Sequence, residues 1–315
     1  MFRFNLPHLF AANFLLFLVI LQCSVVVLVQ SRSLKPKYQQ STNFLENLEG
    51  IQKGQTNKGL IQLKQYLNKF GYLNTGDDSS ASNTNLTDEF DENLELAIKH
   101  YQQFNNLDVS GKLDANTIKQ MLIPRCGVPD MINQSPSNSD NFTMIVASHF
   151  TFFPNMQKWQ PSNTRLTYSF GPVSQNVGID QVRSACASAF QKWAAVSQFT
   201  FEEGSEGQQT NIVIGFYSGD HGDGRPFDGP GRILAHAFAP ENGNFHYDAD
   251  ENWSNNPVQG QFDLESLALH EIGHLLGLGH SQDPNAIMVS GIESGAIRRN
   301  LGQDDINGIR ALYST

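Results

Sequence analysis

The sequence predicts an α+β chain in two parts, a small helical domain followed by a larger mixed domain. Three observations carry this. Apolar residues recur at helical spacing as far as Met121. A stretch rich in Asn, Ser and Asp then runs over residues 131–148. Beyond it, strand-like alternation begins and histidines gather.

In the first part, Leu60, Leu63, Leu67 and Phe70 share one helical face, and Gly71 stops the helix. Residues 77–87 read as a polar loop. Leu94, Ala97, Ile98, Tyr101 and Phe104 form a second stripe. After a turn at 108–114, Asp114 is placed to cap a third helix through Ile118 and Leu122. The helical domain spans about residues 44–122. In the second part, Arg165–Phe170, Phe199–Phe201 and Asn211–Tyr217 read as strands. Ile179–Val196, Leu264–Leu276 and Asp304–Leu312 read as helices. Residues 219–251 are a Gly- and Asp-rich loop with short strands.

The length of 315 residues suits about two domains, and 39% hydrophobic with 17% charged residues is a globular mixture. A net charge of -10 argues against nucleic acid, because phosphate binding needs a basic face. Neither nucleic acid nor a nucleotide cofactor is expected, and the chain is expected to be monomeric. Arg3 followed by the apolar run Leu9–Val29 reads as a signal peptide over residues 1–31. The run is long for one, so an uncleaved anchor is the alternative. Asn85, Asn133, Asn141 and Asn252 begin glycosylation tripeptides, which fit a secreted chain. Three cysteines, one of them Cys23 in the apolar run, are too few for a disulfide framework.

The chemistry sits late. His270-Glu271-Ile-Gly-His274 places two imidazoles one helical turn apart on the same face, as two ligands of one zinc require. Glu271 is then the general base toward a water at the open position. Gly277 permits a left-handed turn that returns His280 as third ligand. Met288 follows at the spacing of a methionine turn beneath the ligands. A second cluster, His221, Asp223, His236 and His246, is a closed tetrahedral set suited to structural zinc. Asp228, Gly229, Gly231, Ile233, Asp248 and Glu251 offer carboxylates and carbonyls, which suit calcium.

Together with Pro124-Arg125-Cys126-Gly127-Val-Pro129-Asp130, these motifs make the chain resemble a matrix metalloproteinase, a matrixin of the metzincin clan. The match is to the short plant type without a hemopexin-like domain, over roughly residues 44–315. The resemblance implies a twisted, mostly parallel five-stranded sheet with three helices, preceded by a three-helix propeptide. It implies a propeptide at 32–149, with the switch motif at 124–130 and a linker to 149, and a catalytic domain at 150–315.

It further implies that Cys126 is the fourth zinc ligand of the latent form, with Arg125 pairing Asp130 to hold the loop. An activating protease would cut the linker, leaving a mature chain starting near Phe150. Its ammonium group would pair with Asp304 or Asp305. The Ala235 strand is expected to carry substrate backbone, and Val289 and Ile292 to wall the pocket for the residue after the cut. A second calcium site is not expected, because Asn211 and Asn244 stand where relatives carry carboxylates. Two zinc ions and at least one calcium follow, with proteins or peptides as substrates and extracellular matrix or cell wall as location. The rival class is a catalytically silent zinc protein that binds extracellular partners. A wall-glycan binder acting through residues 44–122 is a third reading, because the helical part resembles peptidoglycan-binding modules.

Overall fold

The computed structural model describes residues 44–73, 86–131, 149–174, 176–205 and 207–314. The N-terminal apolar segment, most of the predicted linker, and Asn85, Asn133 and Asn141 lie outside the described residues. Among the described residues, no helix is long and apolar enough to cross a membrane.

The helical part forms α1 (Gly59–Lys69), α2 (Glu92–Phe104) and α3 (Ala115–Met121). Asp91 and Asp114 cap α2 and α3 by accepting from the N–H groups of Leu94 and Thr117 at 2.8 and 2.9 Å. The predicted stripe faces inward, with Leu60, Leu63 and Leu67 fully buried. Gly71 ends α1 at φ +85°. A Cβ there would lie 2.1 Å from the Met131 carbonyl oxygen. The bare turn lets the Phe70 carbonyl accept from the N–H groups of Asp130 and Met131, each at 3.2 Å. The end of α1 is thereby tied to the end of the switch motif.

The mixed part contains β2 (Arg165–Phe170), α4 (Ile179–Ala194), β3 (Thr200–Glu203), β4 (Ile212–Tyr217), β5 (Ile233–Ala237) and β6 (Asn244–Asp248). The pair β7 (Trp253–Ser254) and β8 (Phe262–Asp263), then α5 (Leu264–Leu275) and α6 (Gln303–Tyr313), complete it. Its five principal strands and three helices match the expected architecture. The sheet gains one member that the sequence reading did not include. Strand β1 (Arg125–Cys126), from the switch motif, makes it six-stranded in the order β1-β5-β6-β4-β2-β3. All pairings are parallel except β5 with β6.

Helices α4 and α5 cover one face, where the Trp193 indole donates to the Leu269 carbonyl at 2.8 Å. The helical part shares its own core with Phe227 and Ile233 of the mixed part. Both parts lie in one compact unit spanning Thr42–Thr315.

Two glycines around α5 are required by contact. At Gly273 a Cβ would fall 2.3 Å from the Met288 sulfur and 3.0 Å from Trp193. Only glycine lets that methionine pack beneath the helix. Gly277 has φ +102°, and a Cβ there would meet the Gln157 carbonyl oxygen at 2.4 Å. Gly277→Ala is expected to destabilise the chain by about 1–3 kcal/mol, the usual scale for a forced left-handed residue. Urea denaturation measures it, and an unchanged midpoint contradicts the assignment.

Candidate active site

Helix α5 delivers His270 and His274 from one face, and the Gly277 turn returns His280. All three are buried. The Nε2 atoms of His270 and His280 lie 3.1 and 3.2 Å from that of His274. The opposite ring nitrogen of each has an oxygen acceptor. His270 Nδ1 donates to the Ile287 carbonyl at 2.7 Å, and His274 Nδ1 to the Leu278 carbonyl at 2.8 Å. His280 Nδ1 donates to Asp130 Oδ1 at 2.7 Å. With the protons on Nδ1, three unprotonated nitrogens face one point. Burial also keeps the rings neutral, taking His270 down to about 3 and lowering His274 and His280. Lone pairs at this spacing repel unless a cation lies between them, so the donor set fits zinc.

The Cys126 sulfur completes the cluster, 3.4 Å from His274 Nε2. The four ligand atoms lie within 4.8 Å of one another. Burial pushes the Cys126 thiol well above its ordinary value, a cost that a bound cation would offset. Glu271 is fully buried, and neither carboxylate oxygen has a hydrogen-bond partner. Burial pushes it up to about 8, with the neighbouring Cys126 thiol and then Arg225 opposing. Met288 is buried under the cluster, and Asp305 accepts from the N–H groups of Ile287 and Met288 at 2.8 and 3.1 Å. The sequence reading offered Asp305 only as a partner for a new N-terminus. Its observed role is to hold the loop that orients His270.

The switch segment lies in the groove as a strand. On one side it runs parallel to β5, with Cys126 opposite Ala235. Gly127 N–H donates to the Ala235 carbonyl at 2.8 Å. On the other side, Cys126 N–H donates to the Ser290 carbonyl and Ile292 N–H to the Pro124 carbonyl, both at 2.9 Å. A cleft beside His270 is lined by Leu267, Ile287, Val289 and Ile292, with Ser266, Ser290 and Arg298 among its polar members.

Arg125 donates from both guanidinium nitrogens to Asp130, at 2.9 and 2.6 Å, and stacks over Phe70. Tyr72, which the sequence does not single out, donates its hydroxyl to Asp130 Oδ2 at 2.6 Å. Nothing in the sequence distinguishes it from a buried packing tyrosine.

The second cluster also converges. Asp223 Oδ2 lies 2.8 Å from His221 Nε2, 2.7 Å from His236 Nε2 and 3.0 Å from His246 Nδ1. His221 gives its Nδ1 proton to the Gly219 carbonyl at 2.9 Å, so its Nε2 lone pair faces a carboxylate oxygen. Two acceptors that close need a cation between them, so this set fits a metal too. Burial lowers His236 to about 3. Asp223 falls to about 2 against its own burial, because the Arg225 N–H and the His236 and His221 rings favour its charge.

The acidic set is looser. Among the described residues, Asp228, Asp248 and Glu251 do not form a third group as tight as the two above. Asp248 Oδ2 is buried without a partner. Glu251 accepts from Gly231 N–H, and Ile233 N–H donates to Asp228 Oδ1 at 3.1 Å. Burial, with mutual repulsion that includes Asp228, raises Asp248 to about 7 and Glu251 to about 8. Gly229 and Gly231 turn the loop at φ +82° and +99°. Asn211 does not stand free for a second such site, because its Oδ1 accepts from the N–H and hydroxyl of Thr167 at 2.9 and 3.0 Å.

A buried three-histidine site, with a glutamate beside it and a sheet edge alongside, defines a zinc metalloendopeptidase. Residues 158–314 match the family model of matrixin, and residues 56–121 match that of a putative peptidoglycan binding domain. The chain is 48% identical to Metalloendoproteinase 1 of Glycine max over 266 residues, covering 82% of this chain and 83% of that protein. It is 42% identical to Metalloendoproteinase 5-MMP of Arabidopsis thaliana, covering 87% and 76%. It is also 42% identical to Interstitial collagenase of Sus scrofa, covering 69% of this chain and 42% of that protein. The chain therefore belongs to the matrixin family. Its substrates are proteins or peptides.

The Arg125–Asp130 pair is almost wholly buried, with 6% and 0% of the side chains exposed. Arg125→Met leaves Asp130 with only neutral donors. We expect the latent chain to lose about 3–5 kcal/mol, as when one partner of a buried pair is removed. Urea melts measure it, and a loss under about 1 kcal/mol would rule the pair out as the clamp of this loop.

Proposed function

We propose that the chain is a latent, secreted form of this zinc endopeptidase, activated when the N-terminal part is removed. Residues 1–31 act as signal peptide, 32–149 as propeptide and 150–315 as catalytic domain. One observation carries the reading. The Cys126 sulfur sits at the meeting point of three histidines, 3.4 Å from His274 Nε2, on a strand that fills the groove. His270, His274 and His280 hold the catalytic zinc. His221, Asp223, His236 and His246 hold a second, structural zinc.

Bound zinc supplies Lewis-acid polarisation of the scissile carbonyl. With the switch strand gone, the Ala235 carbonyl that now accepts from Gly127 accepts from substrate backbone instead. Val289 and Ile292 wall an apolar recess for the residue after the cut. Glu271, its carboxylate oxygens otherwise unpartnered, takes a proton from the attacking water and passes it to the leaving nitrogen. The same ordering puts the new N-terminus near Phe150. His149 N–H already donates to Asp304 Oδ1 at 3.2 Å, and the Phe150 ring lies against Gly308 of α6. Asn252 is exposed, which suits a glycan on a secreted chain.

Processed wild-type protein is expected to cleave an extended peptide. Glu271→Ala is expected to lose about 10²–10⁴-fold. Cys126→Ser is expected to cleave without processing. If processed wild type is as inactive as Glu271→Ala, the silent zinc-binding reading replaces this one.

Calcium at Asp228, Asp248 and Glu251, with carbonyls from Gly229, Gly231 and Ile233, is the second part of the proposal. The raised carboxylates decide its pH dependence. Unfolded, Asp248 and Glu251 lose their protons near their ordinary values of 3.8 and 4.5, whereas folded they hold them to about 7 and 8. The folded state thus binds more protons in that window, and metal-free stability falls as pH rises through it. Calcium is expected to raise the melting temperature more at pH 8 than at pH 6. An equal effect at both, in zinc-loaded protein dialysed free of calcium, would sink this part.

A further inference from the structure

The histidines of the candidate catalytic centre are not oriented alike. His270 and His274 give their Nδ1 protons to carbonyls of Ile287 and Leu278, neighbours within the mixed part. His280 gives its proton to a carboxylate 150 residues upstream, on the switch motif. That carboxylate is unusually well placed. Asp130 and His280 side chains are both fully buried. Oδ1 accepts from Arg125 at 2.6 Å as well as from His280, and Oδ2 accepts from Arg125 at 2.9 Å and Tyr72 at 2.6 Å. The three bonds from Arg125 and Tyr72 fix its position, so it meets His280 without first reorganising.

A carboxylate behind a metal-binding imidazole orients the ring and makes its other nitrogen a stronger donor. Loss of such a partner commonly costs 10–100-fold in metal affinity. A carbonyl does the same less strongly, because it bears no full charge. The N-terminal part therefore touches the centre twice, through Cys126 directly and through Asp130 behind His280.

We propose that Asp130 is a positioning residue for His280, strengthening its hold on zinc while the switch segment is docked. The latent chain then binds its catalytic zinc more tightly than loss of the thiol alone accounts for. Removal of the N-terminal part takes away both contributions. It leaves a zinc with one weaker imidazole donor and hence greater Lewis acidity. The proposal rests on the zinc reading of the three histidines.

The test uses the full chain carrying Cys126→Ser in every arm, so that the thiolate contributes nothing. Zinc affinity is measured by competition with a chromophoric chelator. The zinc equivalent at the second cluster serves as internal reference. Adding Asp130→Ala is expected to raise the dissociation constant of one equivalent 10–100-fold, leaving the other unchanged. Asp130→Asn, which keeps a neutral acceptor, is expected to fall between. Arg125→Lys loosens the same loop without removing the carboxylate and is expected to shift affinity less than about threefold. The cobalt-substituted protein provides a second readout, with ligand-field bands that move for Asp130→Ala and not for Arg125→Lys. Equal shifts for Asp130→Ala and Arg125→Lys would overturn the proposal, because loop undocking would explain both. No shift for Asp130→Ala would overturn it too. Failure of the Cys126→Ser parent to bind zinc at this site at all would overturn the zinc reading itself.

Discussion

Three imidazoles can aim bare nitrogens at one spot only if each gives its proton away on the far side. Much of the mixed part supplies that condition. The Gly277 turn places the Leu278 carbonyl over His274 and brings His280 back beside it. Asp305 on α6 holds the backbone of Ile287 and Met288, so the Ile287 carbonyl meets His270. Gly273 leaves the space that Met288 fills beneath the helix. Remove any one of these, and a ring is free to rotate its proton toward the other lone pairs. The cluster would then lose its affinity for a cation before any ligand was changed.

The groove imposes a different constraint, since its two edges offer backbone groups that something must satisfy. The switch segment does so from both sides, at Ala235 on β5 and at Ser290 and Ile292 opposite. It is therefore a sixth strand as well as a thiol carrier. Two hydrogen-bonded edges and one sulfur hold it, and the shared core with Phe227 and Ile233 anchors the helices behind it. A peptide competing for the same edges must displace all of these at once. On the proposed reading, cleavage of the connecting chain weakens them together.

The sequence disclosed much of this, and the rest was hidden for identifiable reasons. Helix and strand periods are local, so α1 to α6 and strands β2, β3 and β4 were legible, with Asp114 as a cap and Gly277 as a stop, whereas β5 and β6 were read only as short strands within a Gly- and Asp-rich loop. The four-residue step from His270 to His274 is a property of the helix itself. Strand β1 was not legible, because two residues carry no period and the strand exists only through its partner, β5. Tyr72, and the hold of Asp305 on the loop behind His270, were missed for a related reason. Tyr72 acts through a hydrogen bond to Asp130, and Asp305 through bonds to Ile287 and Met288, with ordinary composition around each. The acidic loop marks a different limit. Its residue types pointed to calcium, but composition says nothing of how tightly the carboxylates gather, and they gather less closely than the histidines do.

The two clusters differ most in where their fourth ligand atom comes from. Asp223 lies 2, 13 and 23 residues from His221, His236 and His246, so the whole set belongs to one loop and its adjoining strands. Cys126 lies 148 residues from His274, across the segment that joins the two parts of the chain. A short connection keeps the effective concentration of a ligand high whatever happens elsewhere. A connection through a cleavable linker gives the same geometry only while the linker is whole. Equal numbers of ligand atoms would therefore yield one closed site and, on the proposed reading, one that cleavage opens, and the difference lies in chain connectivity rather than in ligand chemistry. Asp130 follows the same logic one bond further out. It reaches the centre only from the part of the chain that the proposed cleavage would remove.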